Sequence, residues 1–96
     1  MERQPPQWLE VGEGPSKRRL AYLLQEGTGA PVVWLGGFRS DMRATKAEAL
    51  ADWARDAGRT CLRFDYGGHG ESDGDFGNFT LSDWLGDAVA TIESRC

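Results

Sequence analysis

The sequence predicts an α/β fold, and three observations carry that prediction. Val32-Val33-Trp34-Leu35 is apolar at every position, as in a strand buried on both faces. A helical pattern follows it, and then a second strand-like run from Cys61 to Tyr66. Strand–helix–strand implies a parallel pair joined by a right-handed crossover. Finally, Leu81, Trp84, Leu85, Ala88, Val89 and Ile92 recur at i, i+3, i+4, i+7, i+8 and i+11, a strong helical period.

Gln7 to Val11 can form a short strand, and Gly12-Glu13-Gly14-Pro15-Ser16 is turn chemistry. Leu20 to Gln25 is expected to pair with that strand as a hairpin. Gly27-Thr28-Gly29-Ala30-Pro31 breaks the run, and Gly36-Gly37 ends the apolar strand 32–35. A helix is expected from Lys46 to Ala57. Thr45 and Glu48 are read as its capping box, and Gly58 suits its C-terminal cap. Ala47, Leu50, Ala51 and Ala54 form its apolar stripe. A glycine-rich loop follows Tyr66, and the last helix runs from Leu81 to about Ser94, capped by Thr80 and Asp83. Four strands and two helices make an incomplete doubly wound sheet, which must be covered on both faces. The chain stops where a further strand should begin.

The 96 residues are enough for one small domain, read as residues 1–96. The chain is 40% hydrophobic and 27% charged, as in globular proteins. A net charge of -4 gives no reason to expect a nucleic-acid surface. Lys17-Arg18-Arg19 sits beside a turn and reads as a solvated strand edge in preference to a polyanion site. No apolar run approaches the ~20 residues of a membrane span. MERQPPQW has neither the apolar core nor the cleavage site of a secretion signal. Cys61 reads as a small core residue and Cys96 is the last residue; neither suggests a disulfide framework or a metal site. A reducing cytoplasm is the expected location, and no cofactor is expected.

GESDG, Gly70 to Gly74, matches the nucleophile-elbow pattern G-x-S-x-G. An elbow needs a strand running directly into the turn and a helix leaving it. Here Gly67-Gly68-His69 intervene before it, and Asp75-Phe76-Gly77-Asn78-Phe79 follow before the helix cap at Thr80. The base is missing as well. His69, the only histidine, precedes Ser72, and Glu71 and Asp73 set negative charge beside any oxyanion. Ser72 is therefore not expected to be a nucleophile. A dinucleotide loop would need glycine at Asp73. A calcium loop through Asp73, Asp75 and Asn78 would need a glutamate at Trp84. The remaining reading is a tight turn in which Ser72 and the acids bond the local backbone.

VVWLGGF, RFDYGGHGESDG and TLSDWLGDA together resemble the front of the α/β-hydrolase fold. GGFRSDMRATKAEAL is similar to the abhydrolase-domain branch of palmitoyl-protein thioesterases and acyl-glucuronide esterases, with their bacterial relatives. The resemblance runs from about Val32 to Ile92. It implies the N-terminal portion of an α/β-hydrolase sheet. It also implies that Asp65, Gly68, Gly70 and Ser72 form a structural loop after the fourth strand, and that the backbone N–H of Phe38, beside Gly37, is an oxyanion-hole donor. The nucleophile, acid and base would lie beyond Cys96, so no catalytic side chain is assigned. The implied activity is hydrolysis of a small acyl ester or thioester through an acyl-enzyme. Three accounts stay open: a fragment of a longer product, a split copy completed by a second chain, or a non-catalytic module that pairs through the apolar edge of strand 32–35.

Overall fold

The computed structural model describes residues 5–36, 41–74, 77 and 79–95. Four strands form one mixed sheet: β1 (Gln7–Val11), β2 (Arg18–Gln25), β3 (Thr28–Trp34) and β4 (Arg59–Phe64). Two helices accompany it, α1 (Thr45–Asp56) and α2 (Leu81–Arg95). The strand order is β1-β2-β4-β3. β1 and β2 form the expected antiparallel hairpin, with Leu9 opposite Leu20. β2 and β4 are antiparallel, and β3 lies parallel to β4 with Val33 opposite Leu62.

Side chains alternate across a strand, and β4 shows what this does here. Leu62 and Phe64 join Tyr22 and Ala88 of α2 in one cluster. Cys61, on the other face, packs on Ala51 and Ala54 of α1. Ala21 and Leu23 of β2 share that second face with Met42. Each face of the sheet thus receives one helix, as an α/β sheet requires.

Ala47, Ala51 and Ala54 are wholly buried, so α1 lies close against the strands. Its start differs from the expected capping box. Ala44 is the N-cap and makes no side-chain cap bond. Glu48 turns away to pair with Arg63 at 3.2 Å; neutralising a buried guanidinium outweighs one cap. The C-terminus is as expected. Gly58 adopts φ 71°, the left-handed conformation that favours glycine, and its N–H donates to Arg55 C=O. At the start of α2 the Thr80 N–H donates to Asp83 (2.8 Å) and the Asp83 N–H donates to Thr80 Oγ1 (3.2 Å). This is the expected reciprocal cap.

Two strand expectations need correction. Residues 28–31 do not break the chain but open β3, with a register shift between Thr28 and Val32. Arg59 holds this irregular stretch by donating from Nε and Nη2 to Ala30 C=O, at 3.0 and 2.6 Å. Nor is 32–35 buried on both faces: Val32 to Trp34 are half-buried and Leu35 lies exposed past the strand. β3 is the outer strand of the order β1-β2-β4-β3, so among the described residues only β4 flanks it. The stripe on α2 also divides. Trp84 and Ala88 are buried together with Asp87 and Thr91, whereas Leu81, Leu85 and Val89 are exposed.

The basic run is not simply a solvated edge. Lys17 pairs with Glu10 at 3.1 Å and Arg19 with Asp73 at 3.1 Å. Arg18 is largely buried and its guanidinium bonds the buried carboxyl of Asp87. Asp87 also accepts the Gly67 N–H at 2.8 Å. Removing one partner of such a pair leaves an uncompensated charge. Asp87→Ala is expected to lose about 3–5 kcal/mol in urea unfolding. The Arg18→Met/Asp87→Leu double variant should lose clearly less, and equal losses would show that the pair is not the cause.

Candidate functional site

The parallel strands β3 and β4 end on the same side of the sheet, and ligands of open α/β sheets bind outside such carboxyl ends. Two connections meet there: residues 41–44 before α1, and the loop from Asp65 to Gly74 after β4. Gly37 and Phe38, the expected oxyanion residues, lie outside the described residues. Asp65, Gly68, Gly70 and Ser72 are brought together in one loop.

Asp65 organises both connections. Its carboxyl is buried; Oδ1 accepts the Met42 N–H at 2.8 Å and Oδ2 the Glu71 N–H at 2.9 Å. From the end of β4, Arg63 Nη1 donates to Met42 C=O at 3.1 Å. Arg63 of β4 and Asp65, just after it, therefore grip both polar groups of one peptide residue. The Met42 side chain, wholly buried, locks it from the other side. Gly70 closes over the Asp65 carboxyl with φ 47°; a Cβ there would come within 2.3 Å of Oδ2. Burial, the largest influence, pushes the Asp65 carboxyl above the usual range, aided by the charges of Asp41 and Glu71 and opposed by the two amide donors.

Ser72 has no free chemistry. Its hydroxyl donates to Asp65 C=O at 2.6 Å and accepts the Ala21 N–H at 2.8 Å. The side chain is buried, so it ties β2 to the loop and cannot attack a substrate. His69 is buried too, edge-on to Tyr66 and Trp84 with ring centroids 5.6 and 5.1 Å away. Its Nδ1 lies 3.2 Å from Gly67 C=O, and in that contact the nitrogen carries the proton. Trp84 Nε1 donates to the same carbonyl at 2.9 Å. Asp73 is engaged by Arg19, whose guanidinium lowers its pKa. Among the described residues no cluster of His, Cys, Asp and Glu could hold a metal ion. The local bonding expected of GESDG is seen only in part: Ser72 donates to the nearby Asp65 C=O but also accepts the distant Ala21 N–H, and the carboxylates of Glu71 and Asp73 meet Arg43 and Arg19.

Sequence reasoning missed Arg63, Met42 and Asp87. A signal existed for two of them: a charged residue in the apolar strand run, and an acid on the buried side of a helical stripe, each need a buried partner. Met42 entered only within the resemblance of GGFRSDMRATKAEAL, with no role attached to it.

A polar cleft of about 290 Å³ opens beside Asp65, lined by Asp41, Arg43 and Glu71; Arg43 Nε bonds Glu71 at 2.9 Å. A wider apolar groove of about 470 Å³ lies on the α2 side, between Leu35, Tyr66, His69, Leu81, Trp84 and Leu85. Among the described residues no helix is long and apolar enough to cross a membrane.

No protein-family model matches the chain. The human palmitoyl-protein thioesterase ABHD10, mitochondrial, is 35% identical over 79 residues, which cover 82% of this chain and 26% of that protein. A crystallised protein of Agrobacterium vitis S4 named as a hydrolase superposes with a TM-score of 0.88 at 40% identity, over 94% of this chain and 36% of that one. Mouse alpha/beta hydrolase domain-containing protein 10 superposes with a TM-score of 0.86 at 26% identity, over 97% of this chain and 36% of its own. The chain spans about a quarter to a third of the length of the relatives it matches.

Ser72→Ala orphans the buried Ala21 N–H and is expected to cost about 1–3 kcal/mol in urea unfolding. A variant as stable as the parent would show the hydroxyl to be free. Burial also raises the carboxyl of Asp87, against the Gly67 N–H and Arg18. For Asp65 and Asp87 the folded state therefore holds protons more tightly than the unfolded chain. Their contribution is full below the ordinary carboxyl pKa of about 4 and is lost as pH rises through the raised folded values. The urea midpoint should accordingly decline less steeply above about pH 4 in Asp65→Asn, where one titrating group is gone. An unchanged slope would exclude Asp65 as a contributor.

Proposed function

The chain belongs to the α/β-hydrolase fold family, and from that premise we propose that it forms the front of an acyl hydrolase cleaving a carboxylic ester or thioester through an acyl-enzyme. Its share of the work is scaffold and oxyanion stabilisation. The nucleophile, acid and base would come from polypeptide outside these 96 residues, which act as the N-terminal part of a single hydrolase domain.

The observation that carries this reading is the double grip on Met42. Asp65 and Arg63 hold the connection that follows β3 at the carboxyl end of the parallel pair. Phe38 lies four residues before Met42 in sequence, so its backbone N–H is the proposed oxyanion donor, with Gly37 allowing close approach. A fixed backbone donor costs no reorganisation when charge develops on the carbonyl oxygen. Asp65, Gly68, Gly70 and Ser72 support that connection without touching substrate. The thioesterase name of the human relative favours a fatty acyl thioester among the candidate substrates.

Cys61 is a buried free thiol whose pKa burial raises, which suits a reducing compartment. We keep the cytoplasm as the proposed location; the mitochondrial name belongs to the human relative.

Grafting this chain in place of the matched part of the Agrobacterium vitis protein tests the reading. The chimera is expected to hydrolyse nitrophenyl acyl esters as its host does and to react with a fluorophosphonate probe. Phe38→Pro, which removes the amide, should lower kcat about 10²-fold or more, whereas Phe38→Ala and Ser72→Ala should retain turnover. A folded Phe38→Pro chimera with full turnover would overturn the oxyanion assignment. A folded, inert chimera beside an active host would overturn the function.

A further inference from the structure

We propose that Glu48 is a positioning residue for acyl hydrolysis: paired with Arg63, it aims the guanidinium at Met42 C=O and so holds the connection to which the Phe38 amide belongs. This role presupposes the hydrolase reading and adds to it a residue of α1, outside both loops of the site.

The geometry centres on one nitrogen. Arg63 Nη1 donates to Met42 C=O at 3.1 Å, and the same Nη1 lies 3.2 Å from Glu48 Oε1. A guanidinium nitrogen carries two hydrogens fixed in the plane of the group. A carboxylate that draws one of them sets the direction of the other. Water cannot do this for Arg63. In the sheet it stands between Leu23 of β2 and Trp34 of β3, and its side chain is only 6% exposed. A buried cation needs a carboxylate, and among the described residues Glu48 is the one paired with it. Asp65 is the alternative, two residues along the chain, but its oxygens already accept the Met42 and Glu71 N–H groups. Without Glu48 the guanidinium is drawn towards Asp65, and both holds on Met42 are disturbed together.

Glu48 has no competing duty at the helix start. Ala44 is the N-cap of α1, and the Glu48 N–H makes the ordinary helical bond to Ala44 C=O at 2.9 Å. The carboxylate also faces the positive end of the helix dipole, a contribution that any acid in the first turn makes. Reach is what distinguishes glutamate here. Aspartate keeps the charge in the first turn but is one methylene short of Arg63. The Glu48 side chain is 47% exposed, so shortening it leaves no cavity. An oxyanion donor acts when charge develops on the carbonyl oxygen, so its misplacement lowers kcat and leaves KM alone.

The test uses the chimera with the Agrobacterium vitis protein and the 96-residue chain side by side. In the chimera Glu48→Asp is expected to lower kcat for a nitrophenyl acyl ester about tenfold with KM unchanged. Glu48→Gln, with an acceptor oxygen at full reach, should rescue kcat to within about threefold of the parent. Asp52→Asn, which breaks an exposed ion pair on the same helix, should change nothing. A double-mutant cycle separates positioning from general loosening. Once Phe38→Pro has removed the amide, Glu48→Asp should cost no further kcat. Where Phe38→Pro does not fold, Arg63→Met takes its place in the cycle with the same expectation. In the 96-residue chain Glu48→Asp should speed hydrogen exchange of the Met42 N–H about fivefold or more while that of Leu62 is unaltered. Full kcat in Glu48→Asp, an equal loss with and without the second substitution, or unaltered exchange at Met42 each overturns the role. An inert parent chimera beside an active host refutes the hydrolase reading and this role with it, whereas an active chimera indifferent to Glu48→Asp refutes the role alone.

Discussion

The inner edge of β2 outlasts its neighbour, and the rest of the structure depends on how that edge is satisfied. β4 pairs with β2 only as far back as Tyr22, yet β2 begins four residues earlier, at Arg18. A backbone edge left unpaired in the interior is costly. The loop after β4 turns back to fill the gap. Asp65 N–H donates to Ala21 C=O, Ser72 Oγ accepts the Ala21 N–H, Asp73 N–H donates to Arg19 C=O, and the Asp73 carboxylate accepts the Arg19 N–H. The loop acts as a substitute strand built from side-chain and main-chain atoms. Ser72 is committed to this task, which explains both its burial and its lack of chemistry.

Buried charge then turns this backbone problem into a positioned site. Asp65 and Arg63 hold Met42, while Asp87 joins Arg18 to Gly67. Such groups are expensive to desolvate and contribute little net stability compared with apolar residues of the same volume. What they supply is direction. A carboxylate with two amide donors fixes the relative place of two connections that apolar packing alone would leave adjustable. Both connections lie at the carboxyl ends of the parallel strands, where a hydrolase needs fixed backbone donors.

Much of this was legible in local pattern. The hairpin, the parallel pair, both helices and the Thr80–Asp83 cap follow from periodicity and turn chemistry, because neighbouring residues alone decide them. The misses share one cause. Thr45 and Glu48 have the spelling of a capping box, but Arg63, fifteen residues along the chain from Glu48, claims the glutamate. Residues 28–31 spell a break, but the Arg59 guanidinium stitches them into β3. In each case a distant partner outbids a local preference, and a sequence window cannot contain that partner.

Residue order by itself determined the α/β plan, the family, and the fact that GESDG lacks the strand and helix an elbow requires. Only the tertiary structure decided where the Ser72 hydroxyl goes, which acid holds Met42, and which half of the α2 stripe meets the sheet. The first set depends on contacts a few residues apart. The second depends on distances closed across twenty to seventy residues of chain, from Arg63 and Met42 to Arg18 and Asp87, and on the outer position of β3, which leaves Leu81, Leu85 and Val89 uncovered.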